Sequence, residues 1–221
     1  MAIQQDTDFV PEVDEFSIEN TESSLDARPA GATASIASGW GAAEAAIKPK
    51  EYANNFKPTE KAQLIKFLDQ SGPFAVYNEH WLDAKTEGQR SYVCAGQGCP
   101  LCLKLNDKPK KKYGFSVAVI SPTETTLARF IATPLYFKAL HAAEHSPSGP
   151  LTKNYWSVFR HGSMKDTILT LNPVKSRDLL EDYGIDEAKV EADIAGMTLF
   201  DASAIYTLSI ADLDEVANAL I

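Results

Sequence analysis

From residue 61 onward, apolar positions come in short runs separated by turn-forming residues. Leu64-Ile65-Lys66-Phe67-Leu68 leads into the turn Asp69-Gln70-Ser71-Gly72. Pro73-Phe74-Ala75-Val76-Tyr77 follows, and then Ser91-Tyr92-Val93 beyond Gly88. Two further pairs are set about turns: Phe115 to Ile120 with Thr126 to Ile131 around Ser121-Pro122, and Tyr155 to Arg160 with Thr167 to Leu171 around His161-Gly162. Runs of this length, rich in β-branched and aromatic residues, predict strands and hairpins. A single helix is expected among them. It has Thr133 as N-cap and Pro134 at its first position, runs apolar through Ala143, and stops at Gly149-Pro150.

The two ends read differently. Residues 1–47 are polar and interrupted by prolines, and predict a partly flexible arm with one Ala-rich helix around Trp40. Residues 176–221 predict helices: one from Ser176 to near Gly184, one from Asp186 to Ala195, and a last one with Leu213, Val216 and Leu220 on one face. Charge follows the same division. Residues 1–47 hold nine acids against Arg28, and residues 176–221 hold eleven acids against Arg177 and Lys189. Residues 48–175 hold eighteen bases and ten acids, so the net charge of −9 hides a basic body between acidic ends. Such a body suits a polyanionic partner, and the ends are able to compete for it. The expected fold class is α+β with a mainly β core: a small barrel of the oligonucleotide/oligosaccharide-binding (OB) type, flanked by acidic, partly helical segments. With no apolar run of membrane-spanning length and no leader-like start, neither membrane insertion nor export is expected.

All three cysteines fall within nine positions: Cys94, Cys99 and Cys102. Cys99-Pro100-Leu101-Cys102 has the two-residue spacing that lets both thiolates reach one ion, and a closed tetrahedral Zn2+ site needs one ligand more. His80, ending an apolar strand before the one that ends in Cys94, is one candidate. His141 and His145 are rivals one helical turn apart. The expected role is structural, a metal staple for a loop too small to own a core.

Beside the cysteines, Lys104 and Lys108-Pro109-Lys110-Lys111-Lys112 lead into Tyr113 and Phe115. Arg90 beside Tyr92, and Lys153 before Tyr155-Trp156 and Arg160, repeat the combination of cation and ring. Lys66 and Arg129 add charge on further strands. Cations that follow phosphates and rings that stack on unpaired bases are the elements of a single-strand groove. No P-loop, Gly-x-Ser-x-Gly or dense acidic cluster accompanies them in the basic body, so the chain reads as a binding protein and not an enzyme. The alternatives are a zinc-stapled protein–protein adaptor, with lysines that only solubilise, and an RNA-binding regulator.

The apolar-basic strand Leu64 to Leu68, Pro73-Phe74-Ala75, His80, Cys94 and Cys99-Pro100-x-Cys102 resemble the core of the zinc-containing, helix-destabilising single-stranded DNA-binding proteins of T-even bacteriophages. With Gly149 to Trp156, the chain is also similar to single-stranded DNA-binding proteins of actinobacterial phages. The resemblance covers roughly residues 60–175. It implies an OB-fold, Zn2+ held by His80, Cys94, Cys99 and Cys102, and coating of single-stranded DNA during phage replication, recombination and repair in the cytoplasm of an infected bacterium. It further implies that the acidic C-terminal segment recruits replication proteins and modulates access of DNA, so that deleting residues 205–221 is expected to raise affinity. The acidic N-terminus departs from the basic start of the T-even proteins.

Overall fold

A computed structural model describes residues 54–82, 90–162 and 167–221. The chain divides into Met1–Lys50 and Glu51–Ile221, and every described residue belongs to the second unit. The arm expected over 1–47, with its helix around Trp40, lies outside the described residues.

The strands are β1 (Gln63–Phe67), β2 (Ala75–Trp81), β3 (Ser91–Val93), β4 (Lys110–Ile120), β5 (Thr125–Ala132), β6 (Tyr155–His161) and β7 (Ile168–Val174). The helices are α1 (Pro100–Lys104), α2 (Pro134–Glu144), α3 (Ser176–Tyr183), α4 (Glu187–Ala195) and α5 (Ile210–Asn218). This is an α+β unit on a largely antiparallel sheet of seven strands, ordered β3-β2-β4-β1-β6-β7 with β5 on the other edge of β4.

β4 is the hub because it is long enough for two partners on one edge. Its N-terminal half pairs with β2, from Ala75↔Gly114 to Glu79↔Lys110, and its C-terminal half with β1, from Phe67↔Val117 to Leu64↔Ile120. The turn between β1 and β2 makes that split. Both faces of the second half of β4 are covered, which explains why Phe115 to Ile120 reads as a nearly continuous apolar run instead of an alternating one. Phe115 and Val117 enter one core with Ile65, Phe67, Phe130, Leu140 of α2, Trp156 and Val158. Ala118 and Ile120 enter a second with Leu64, Tyr155, Leu179 of α3 and Val190 of α4.

The helix predicted after Thr133 forms as expected: the Thr133 hydroxyl accepts from the Tyr136 N–H, and Pro134 sits in the first turn. In α3, Gly184 closes the helix at φ 65°, a conformation that glycine adopts without steric cost. The helices of 176–221, expected as an acidic tail, are packed into the fold. α3 and α4 build the second core, while Leu213 and Ala217 of α5 are fully buried in a third, with Leu82, Cys99 and Leu101. The apolar stripe of the last helix is what takes it there, since such a stripe leaves water whenever a complementary surface is within reach.

Candidate functional site

β2 carries two sites on its two faces. Successive side chains of a strand point to opposite sides, so Tyr77, Glu79 and Trp81 share one face and His80 takes the other. His80 is fully buried. β3 pairs with the end of β2, and directly after it the Cys94 N–H donates to the Asn78 carbonyl at 2.8 Å, which delivers Cys94 to the same side as His80. Cys99 is the N-cap of α1 and Cys102 lies within its first turn, with Pro100 starting the helix between them.

These four residues converge. Their ligand atoms all lie within 4.8 Å of one another, and the group could hold a metal ion. His80 Nε2 is 3.5 Å from Cys99 Sγ and 3.5 Å from Cys102 Sγ, while Cys94 Sγ is 3.7 Å from Cys102 Sγ. None of the thiols is in a disulfide. The other histidine nitrogen, Nδ1, lies 2.6 Å from Asp107 Oδ2, so a carboxylate orients the ring from behind. Burial and the adjacent Cys94 and Cys99 thiols push Cys102 up to about 12. Several thiolates crowded into one buried place need a cation to coexist. His141 and His145 are not part of this cluster: they stack on each other at 4.3 Å on α2, a consequence of helical spacing.

The opposite face of β2 lines a groove of about 410 Å³. Its floor is Tyr77, Glu79 and Trp81 of β2, Ser91 and Val93 of β3, Lys112 of β4, and Arg129 and Ile131 of β5. Asn55, Phe56 and Lys57, with Ile205 and Tyr206, complete its lining. Lys57, Lys112 and Arg129 set three cations against one carboxylate, and that carboxylate, Glu79, accepts from Lys112 at 3.0 Å and from the Ser91 hydroxyl at 2.5 Å. Trp81 is 55% exposed, an unusual position for so large a ring. Burial pushes the Tyr77 phenol up to about 12, with Glu79 adding to it and Arg129 opposing, so it stays neutral at any ordinary pH.

The expected DNA-binding residues divide sharply. Lys112 and Arg129 lie in the groove. Arg90, Lys110, Lys111, Lys153 and Arg160 are exposed, though none lines it. Phe115, Tyr155 and Trp156 are core residues, each less than 5% exposed, and offer no ring face to a ligand. The Trp156 indole N–H donates to the Leu151 carbonyl at 2.7 Å, which satisfies it inside the core. Tyr113 is stacked on Phe137 at 3.8 Å. Tyr92 packs against the third core, beside the cysteines. Lys66 is held by Glu191 at 2.5 Å, above the Tyr155 ring, and the Tyr155 hydroxyl donates to the same carboxylate. Its charge is thereby neutralised within the fold. Tyr77, Trp81, Lys57 and Asp107 were not among the expected site residues. The period-two spacing of Tyr77, Glu79 and Trp81 was the readable signal for the first two.

No protein-family model matches the chain, and comparison with curated proteins and with solved structures finds no match. Among the described residues no helix is long and apolar enough to cross a membrane.

Proposed function

We propose that this protein binds single-stranded DNA in the groove on β2–β5, with a structural Zn2+ behind it. The observation that carries the reading is the exposed Trp81 ring, set beside Tyr77 in a groove whose walls hold Lys57, Lys112 and Arg129. Rings that lie open next to cations suit bases unstacked from a duplex and the phosphates that join them. A rigid double helix presents no free base faces to such a site.

The connectivity supports an OB-type reading. β1 and β2 together act as a broken first strand along β4, β5 follows by a hairpin, α2 comes next, and β6–β7 return to β1. The groove then lies over the strands that OB-folds use for oligonucleotides. No β5–β7 pairing closes the sheet among the described residues, so the barrel would be open.

For the metal, the donor set favours zinc. Bonds of about 2.3 Å to sulfur and about 2.0–2.1 Å to nitrogen, in a tetrahedron, require sulfur–sulfur edges of about 3.8 Å and nitrogen–sulfur edges of about 3.6 Å. Three of the six edges, at 3.7 Å and 3.5 Å, agree, in a cluster whose ligand atoms all lie within 4.8 Å of one another. All four positions would be taken by protein, which leaves none for chemistry, and the ion's role is to pin α1 and β3 to β2. The resemblance to phage single-stranded DNA-binding proteins supports DNA as the ligand and replication, recombination and repair as the setting. The exposed side of α5, with Glu215 and Ile210, is then the surface offered to replication proteins.

The test is intrinsic tryptophan fluorescence during titration with oligo-dT. Strong quenching that disappears in Trp81→Phe and persists in Trp156→Phe is expected. Absence of quenching in the wild type would favour the adaptor, and tighter binding of oligo-U than of oligo-dT would favour an RNA regulator.

A further inference from the structure

The C-terminal segment touches the groove at a place that its acidity does not explain. Residues 200–209 run between two anchors. At the first, the Phe200 N–H donates to Ser116 Oγ at 3.3 Å and its ring lies 5.9 Å from Phe74. Phe74 can sit there because position 114 is glycine: a Cβ on Gly114 would come within 2.7 Å of its ring. At the second, α5 buries Leu213 and Ala217 against the cysteine-bearing α1, and Lys104 bonds Asp214 and Asn218, each at 2.7 Å. Between them the Arg129 guanidinium donates to the Ala204 carbonyl, and Ile205 and Tyr206 line the groove.

A segment that competed with phosphates would bring its carboxylates to the groove cations. Here the acids are engaged elsewhere. Asp201 accepts from the Ser203 N–H and hydroxyl, Asp212 closes a capping box with Ser209, and Asp214 faces Lys104. Lys112 has its carboxylate partner within the sheet, in Glu79, and Arg129 meets the segment through a backbone carbonyl. What the segment does contribute to the groove lining is Ile205 and Tyr206, the latter 61% exposed, in the same groove as Trp81 and Tyr77.

We infer that residues 200–209 are a wall of the groove and that Tyr206 is a base-contacting residue, so the C-terminal segment adds affinity for single strands instead of competing with them. This rests on the single-strand reading of the groove. A ring in the groove lining, held by a main-chain contact and by a docked helix, is placed to stack on a base whose phosphates lie along Lys57, Lys112 and Arg129.

The experiment compares full-length, zinc-loaded wild type with Tyr206→Ala and Tyr206→Phe, by anisotropy of labelled dT oligomers and of abasic oligomers of equal length. Y206A is expected to weaken dT binding by about tenfold, to leave abasic binding and the salt dependence unchanged, and to be rescued in Y206F. Wild-type affinity or tighter binding in Y206A overturns the inference while the groove reading stands. Equal weakening on abasic and dT oligomers also overturns it, by showing a structural effect. Failure of the wild type to bind dT at all removes the groove reading and this inference with it.

Discussion

Glu79 and His80 are neighbours in the chain and belong to different sites, one on each face of β2. At this scale the account makes two predictions. Asp107→Asn keeps His80, Cys94, Cys99 and Cys102 but weakens the acceptor for His80 Nδ1, so on the proposed zinc reading, zinc affinity should fall about 10- to 100-fold. Competition with a chromophoric chelator measures it, and unchanged affinity would show that Asp107 does not orient the ring. The second concerns Glu191. Burial works against its charge, but hydrogen bonds from Lys66 and Tyr155 and the Lys66 charge hold its carboxyl below the usual range. A depressed folded-state value contributes stability that is present above the unfolded carboxylate value near 4.3 and is lost as pH falls through the folded one. Glu191→Gln should therefore lower Tm at pH 7, with the gap to wild type closing as the solution is acidified below about pH 4. A gap that is constant with pH would contradict this ion pair.

At the scale of elements, α5 decides how the C-terminal region is understood. Leu213 is fully buried against Cys99 and Leu101, so Leu213→Ala should destabilise the protein by about 2–4 kcal/mol in urea unfolding. A loss below about 0.5 kcal/mol would return α5 to the status of a loosely attached tail. The same contact links the cysteine cluster to the helix: on the proposed zinc reading, chelation should lower Tm and free α5 together, followed by proteolytic cleavage within residues 200–221. The strands, the helix after Thr133 and the ends of α3 and α4 were legible in the sequence because each has local causes: a cap, a proline, a terminal glycine, a run of β-branched residues. The convergence of His80, Cys94, Cys99 and Cys102 was legible from spacing and resemblance. The docking of α5 and the burial of Trp156 were not, because alternation along a strand says which residues share a face but not which face is covered. Tyr155-Trp156 and Tyr77-x-Glu79-x-Trp81 are equally plausible platforms on paper. Packing decides between them: Leu140 and Leu151 cover Trp156, Leu179 and Val190 of α3 and α4 cover Tyr155, and the groove face of β2 stays open.

For the whole molecule, the basic body and acidic ends remain true as arithmetic but change in meaning. Acids of residues 176–221 pair with Lys66 and, at the surface, with Lys104, so charge counted along the chain overstates both the cationic surface and the free acidic tail. Of the remaining cations, Lys57, Lys112 and Arg129 line the groove, Lys112 already paired with Glu79, while Arg90, Lys110, Lys111, Lys153 and Arg160 are exposed outside it. The measurement that tests this most directly is the affinity of the zinc-loaded chain for a dT oligomer and for duplex of equal length across a range of salt. The account predicts preference for the single strand, with log K falling against log salt at a slope of about −2, and a slope shallower by about 0.7 in Lys57→Ala. Equal affinity for duplex, or binding that ignores salt, would contradict it.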